Sequence, residues 1–270
     1  MNFVCPKCKS ELIEQVSGTA KCENGHSFDK SRFGYYNLLL SNNTKSHGDN
    51  KEMVSARRDF LNTGSYYPLA KAVAQLLVEH GSAGKLLDIG CGEGYYTDII
   101  QRHFDESKIP VEVSAFDISK EAVKNLSKRN PAIELCVASA YHMPVADASF
   151  DMALNMFSPL APEEVSRALV PGGIFVMVIP GENHLFKLKK EAYDVPYKNT
   201  VSDSYLQGFE LIEEKHITYS MLLKNNSEVR SLFLMTPYAY RTPLARKEKV
   251  LSLQELECEA DFVIFVYKKE

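Results

Sequence analysis

The sequence has no apolar run long enough to cross a bilayer. Its longest candidates, residues 174–179 and 262–267, are only strand-sized. It also lacks a charged start followed by an apolar h-region, so no secretory signal is read and a cytoplasmic location is expected, with no membrane partner. Positive charge is not in excess. With 31 Lys and Arg against 35 Asp and Glu the formal net charge is -4, which excludes a protein that simply coats nucleic acid but still allows a basic face. Residues 1–62 carry nine basic and seven acidic side chains, so this part is near +2 and the remainder near -6. No internal repeat is present. Cysteine is scarce and uneven: three of the six lie in the first 22 residues, while Cys91, Cys136 and Cys258 stand alone in apolar surroundings. That suits a reducing compartment with a metal site better than a disulfide framework.

What is present divides into three parts. Residues 1–40 are punctuated by Cys, Lys and Gly and are too short to fold on an apolar core alone, so they need a staple. Residues 41–65 read as a polar linker (SNNTKSHGDN at 41–50) followed by a connecting helix. Residues 66–270 read as the main domain. Its apolar segments KLLDIG (85–90), VEVSAFD (111–117), IELCVA (133–138), FDMALN (150–155) and GIFVMVIP (173–180) alternate with helical patterns near 95–103, 120–129, 162–169 and 185–192. This alternation predicts an α/β fold with a parallel sheet covered by helices on both faces. Residues 209–223 and 258–269 look like strands added antiparallel at its edge, separated by a helix near 227–234.

Cys5 and Cys8 form a C-x2-C knuckle, and Cys22 with His26 forms C-x3-H after thirteen intervening residues. Two turn-borne pairs are the shortest route to the four N or S ligands that tetrahedral zinc requires. The competing reading is buried free thiols, but forty residues offer little interior to hide three of them. Four protein ligands leave no open coordination position, so a zinc ion here is structural. His26 is the least certain ligand by position, with His47 as an alternative in the linker.

Asp88-Ile-Gly90-Cys-Gly92-Glu93-Gly94 places a glycine loop between an apolar strand and a helix starting near Tyr95. Glycine permits positive φ and close backbone approach to a ligand, and the strand and helix on either side turn the run into a nucleotide-site hypothesis. A dinucleotide loop usually reads G-x-G-x-x-G and seats a pyrophosphate. Here the third glycine comes one residue early. Asp88 and Glu93 would repel a pyrophosphate yet suit a ligand carrying an ammonium and a sulfonium, which favours S-adenosylmethionine. Asp117 ends the next strand, placed to accept ribose hydroxyls; its other reading is a helix N-cap, for which Ser119 is the better candidate.

The loop together with Asp117 resembles the class I methyltransferases. CPKC with C-x3-H, YNLL (36–39), ARRDFL (56–61), DIGCGEGYYT (88–97), CVASA (136–140) and LMTPYAYR (234–241) together resemble the bacterial 23S rRNA guanine-N1 methyltransferases along nearly the whole chain. The resemblance implies a seven-stranded Rossmann-like domain behind a zinc module, methylating N1 of a guanine in an rRNA hairpin loop. It also implies cofactor contacts at Tyr67, Tyr96, Thr97 and His184, with Ala138 and Ser139 lining the adenine end. Without it, Tyr67 reads equally as a helix-start aromatic on the core.

Methyl transfer from a sulfonium is an in-line displacement, in which positioning supplies most of the benefit. Guanine N1 carries a proton, so an acceptor must take it as the bond forms; the sequence does not name that base. Asn155 and Phe157, at the end of the fourth strand, are candidates for bonding and stacking the target base, against a reading in which they close a strand-end turn. Lys7, Lys9, Lys21, Lys30 and Arg32, interleaved with Phe28, Phe33, Tyr35 and Tyr36, suggest an RNA grip, although the aromatics also suit packing onto the main domain. An elongated target favours a homodimer. Two alternatives remain: a methyltransferase acting on a small metabolite, with the zinc module as a lid or dimer contact, and a non-catalytic RNA-binding protein retaining the fold.

Overall fold

A computed structural model describes residues 1–40, 50–201 and 204–270. The linker reading for 41–49, with His47, lies outside the described residues. The N-terminal part forms three short strands, β1 (Ile13–Glu14), β2 (Thr19–Lys21) and β3 (Ser27–Asp29), in an antiparallel sheet, followed by β4 (Tyr36–Asn37). Two helices come next. α1 (Lys51–Leu61) is capped by Asn50, whose side chain accepts from Met53 N–H at 2.9 Å, and α2 (Tyr67–His80) has a proline in its first turn, where a missing N–H costs nothing.

The alternating part then runs β5 (Gly84–Ile89), α3 (Tyr95–Glu106), β6 (Val111–Asp117), α4 (Lys120–Arg129), β7 (Glu134–Val137), β8 (Phe150–Met156), α5 (Pro162–Ala168), β9 (Leu169–Pro180) and α6 (Phe186–Ala192). It closes with β10 (Phe209–Leu223), α7 (Asn226–Leu234), a short 3-10 turn (Pro237–Tyr240), α8 (Leu244–Ser252) and β11 (Leu256–Lys269). The strand order is β10-β11-β9-β8-β5-β6-β7-β4, parallel from β9 to β4, with β11 and β10 antiparallel at the far edge. The near-continuous burial of β5 and β8 follows from cover on both faces.

Among the described residues the main domain supplies the seven expected strands, β5–β11, and the sheet has an eighth. The extra one is β4, donated by the N-terminal part and paired through Tyr36 with Cys136 and Asn37 with Val137. More joins the two parts than this pairing. Val4 N–H donates to the Pro144 carbonyl at 2.7 Å, Asn2 N–H donates to Glu134 at 2.9 Å, and Phe3, Leu12, Tyr36 and Leu38 share one buried cluster with Phe116, Cys136 and Met143. Phe3 is fully buried, a burial worth about 1.5–3 kcal/mol. The N-terminal residues therefore rest on the sheet as well as on their own ligands. Among the described residues no helix is long and apolar enough to cross a membrane.

Candidate functional site

The chain crosses β5, β6 and β7 in one direction and then returns to place β8 on the other side of β5. The loops leaving the carboxyl ends of these strands splay apart there, as doubly wound sheets require, and enclose a cavity of about 590 Å³. Gly90, Gly92 and Gly94 all sit at positive φ (+74°, +57° and +84°), but for different reasons. A Cβ on Gly94 would lie 2.1 Å from Leu126 and one on Gly90 2.5 Å from Ser158, so these two are fixed by packing. A Cβ on Gly92 would meet nothing within 4 Å. That leaves bare backbone at the cavity floor, where a ligand can approach.

Three carboxylates line this cavity. Asp117 accepts from Gly92 N–H at 2.9 Å and from Ser119 N–H at 2.7 Å, so it is locked to the glycine loop; Ser119, not Asp117, caps α4. Asp88 is buried and accepts from the Thr97 hydroxyl at 2.6 Å. Burial pushes its carboxyl up to about 7, with the Thr97 bond pulling it back and the charge of Asp117 adding to the rise. Thr97 thus acts through Asp88 and does not itself line the cavity. Glu93 is also buried: one oxygen pairs with Arg129 at 2.7 Å, while Oε1 has no hydrogen-bond partner among the described residues. Burial raises the Glu93 pKa against the pull of Arg129. Half of its charge is therefore already answered within the protein. The open floor, the three acidic side chains and the fixed Asp117 fit a cationic ligand that carries a ribose.

Of the remaining residues named from sequence, Tyr96, Ser139 and Phe157 line the cavity, and Ala138 lies buried beneath it, its N–H donating to the Asp117 carbonyl at 3.1 Å. Phe157 has φ +57°, unusual for a bulky residue; its ring is 42 % exposed and lies 5.6 Å from Phe262 and 6.3 Å from Tyr96, centroid to centroid. A bulky residue in this conformation is strained, and the surrounding structure must hold it there. Asn155 is buried instead, and its amide donates to the Pro159 carbonyl at 3.3 Å, closing the turn after β8. Tyr67 is 52 % exposed and does not line the cavity. Its neighbour Tyr66 is buried and bonds His184 Nε2 at 3.1 Å, while His184 Nδ1 accepts from Asp261 N–H at 3.3 Å. A backbone N–H can only donate, so neutral His184 carries its proton on Nε2. Burial lowers its pKa to about 3. With both nitrogens engaged, His184 is not placed to take a proton from a substrate.

At the other end, ligand atoms of Cys5, Cys8, Cys22 and His26 all lie within 4.8 Å of one another. The two knuckles are closed by backbone turns: Lys9 N–H donates to the Cys5 carbonyl at 2.8 Å and Gly25 N–H to that of Cys22 at 3.0 Å. Cys8 and Cys22 sulfurs are 3.6 Å apart, and His26 Nδ1 is 3.4 Å from both the Cys5 and Cys22 sulfurs. A zinc tetrahedron with ordinary bond lengths has edges of about 3.8 Å between sulfurs, so the donor set fits. Hydrogen bonds involving Asn24 and Ser10 bring the Cys8 thiol down to about 5, whereas burial pushes Cys5 up.

These features have counterparts in known proteins. Residues 86–173 match the methyltransferase domain family, and residues 3–47 match the family described as RlmA, N-terminal. The 23S rRNA (guanine(748)-N(1))-methyltransferase of Streptomyces fradiae is 36 % identical over 68 % of this chain and 65 % of its own length. A Bacillus subtilis protein named "putative 23S rRNA (guanine-N(1)-)-methyltransferase" is 30 % identical over 98 % of this chain and 94 % of its own. The chain belongs to the 23S rRNA (guanine-N1)-methyltransferase family. Of solved structures, a "putative methyltransferase" from Bacillus halodurans shares the fold, with a TM-score of 0.50 at 16 % identity, covering 73 % of this chain and 97 % of that one. S-adenosylmethionine is the cofactor of this fold class, and a zinc ribbon precedes it.

Within this family member, several cavity residues escape a reading of local motifs. Arg57 is the one cationic side chain among the described residues lining the cavity, and Leu61, Tyr141 and Ser158 also contribute to its wall. Arg57 and Leu61 were within reach, since both belong to ARRDFL, which already carries part of the family resemblance; Tyr141 and Ser158 sit in loops that no spacing rule singles out.

Proposed function

We propose that this chain transfers the methyl group of S-adenosylmethionine to N1 of a guanine in a hairpin loop of 23S rRNA. The observation that carries the cofactor half is the meeting of Asp88, Glu93 and Asp117 around the bare floor at Gly92. Family membership carries the RNA half. When bound, the cofactor supplies an electrophilic methyl group on a sulfonium.

The chain's own residues would do the rest by placement. Asp117, held by two backbone N–H groups, presents acceptors to the ribose. Glu93 would place negative charge beside the amino group, and Arg57, on the same wall, would face the carboxylate. Ser139 and Ala138 would border the adenine. Phe157, exposed and fixed at positive φ, would stack on the guanine once it leaves its own stack, while Asn155 would hold the turn that presents Phe157. Cys5, Cys8, Cys22 and His26 would hold a structural zinc ion that keeps the N-terminal residues seated on the sheet edge.

An rRNA substrate implies work in the cytoplasm, and an elongated target suits a pair of chains; sedimentation with and without RNA tests the second point. Incubation with labelled cofactor and either deproteinised rRNA or a metabolite extract tests the substrate class. Label in the RNA fraction supports the reading, and label confined to small molecules rejects it.

A further inference from the structure

Arg32, Lys124 and Lys128 surround a single ring. The Arg32 guanidinium lies 4.8 Å from the Phe33 centroid, and the ammonium groups of Lys124 and Lys128 lie 5.4 and 5.3 Å from the same point. Two belong to α4 of the main domain and one to the N-terminal module. Arg32 and Lys128 are exposed with no acidic partner among the described residues, and Lys124 has Glu121 at 3.3 Å. Of the other module cations, Lys9 donates to the Met143 carbonyl at 3.0 Å and Lys30 pairs with Glu14 at 2.7 Å, while Lys7 and Lys21 are exposed but do not share this ring.

Heads that share a centroid at these distances are at most about 11 Å apart, close to the Debye length of about 8–10 Å, so salt screens their repulsion only in part. The ring's negative face offsets part of that repulsion and holds the flexible side chains in position, which lowers the ordering cost on binding an anion. The location is also apt. Leu126 of α4 packs against Gly94, and Arg129 reaches Glu93, so this helix flanks the cofactor loop.

We propose that Arg32, Lys124 and Lys128, gathered by Phe33, form a docking site for the phosphate backbone of the RNA strand whose base enters the cavity. This rests on the reading of rRNA as substrate and adds where the strand is gripped. The site spans the seam between module and main domain, so it exists only when the two are docked.

The test uses the full zinc-loaded chain with Arg32→Gln, Lys124→Gln and Lys128→Gln combined, and a 23S rRNA hairpin fragment followed by fluorescence anisotropy from low to moderate KCl. Three lost contacts to a single strand should flatten the plot of log affinity against log salt by about 2. KM for rRNA should rise at least about ten-fold, with kcat at saturating RNA and cofactor affinity unchanged. A control replacing exposed Lys71, Lys224 and Lys268 by Gln should keep the wild-type slope. A triple variant with wild-type slope and KM overturns the site, as does a control that flattens the slope equally. Wild-type protein that methylates no 23S rRNA overturns the substrate reading and this site with it, whereas wild-type turnover with an unmoved variant overturns the site alone.

Discussion

Gly92 and Asp117 are joined by a 2.9 Å hydrogen bond from the loop N–H to the carboxylate, so the turn after β5 and the acid ending β6 form one unit. Removing Asp117 frees the loop and deletes the proposed ribose acceptor together. Asp117→Ala is expected to weaken cofactor binding by about 10- to 100-fold, the loss of one to two charge-assisted hydrogen bonds. Calorimetric titration checks this, and zinc content should be unchanged.

Asp88 gives the cofactor site a pH dependence. Its pKa of about 7 means that it gains charge as pH rises through neutrality. A cationic ligand favours the charged form, so affinity should rise between about pH 6 and 8 and level off above, and Asp88→Asn should remove the slope. Stability runs the other way. An unfolded Asp releases its proton near 4, so the folded state, still holding its proton, loses stability from about pH 4 to about pH 7. Denaturation midpoints of wild type and Asp88→Asn across this range check the sign.

The glycines separate into two predicted classes. Gly94→Ala drives a methyl into Leu126 at a positive φ and should cost about 1–3 kcal/mol of stability. Gly92→Ala meets no protein atom, so it should cost only about 1 kcal/mol from its backbone conformation while blocking the cavity floor. Thermal melts set beside cofactor titrations distinguish them: Gly94→Ala lowers Tm more, and Gly92→Ala loses more affinity per degree of Tm.

Chelation tests how the N-terminal part is attached. Phe3 and Leu12 share a cluster with Phe116 and Met143, so stripping the metal also bares the sheet edge. Calorimetry should show one transition that moves down in temperature on chelation, and Cys22→Ser should behave likewise with reduced zinc content. Two separate transitions in the metal-loaded protein would mean that module and sheet fold independently.

How legible all this is in the sequence depends on range. The strands at 111–117 and 209–223, the helix at 120–129 and the glycine loop can be read directly, because each is specified by its own periodicity and end signals. The zinc ligands are equally local, two turn-borne pairs. What escapes is set by distant partners. The pairing of β4 with β7 rests on two residues with no strand pattern, and α8 has a weak apolar face in a Lys-rich segment. Glu93 looks like a charge awaiting a ligand until Arg129, thirty-six residues on, is seen to claim one oxygen. That Tyr66 is buried while Tyr67 stays exposed is likewise set at a distance, by His184, 118 residues from Tyr66, and adjacent tyrosines at a helix start give no local reason for it.

The most direct measurement is primer extension on 23S rRNA after incubation with this protein and S-adenosylmethionine, because a methyl on guanine N1 blocks the Watson-Crick edge and halts the polymerase. The expected result is a single cofactor-dependent stop at a hairpin-loop guanine, lost in Asp117→Ala. Cofactor turnover with no stop anywhere in the RNA would contradict it.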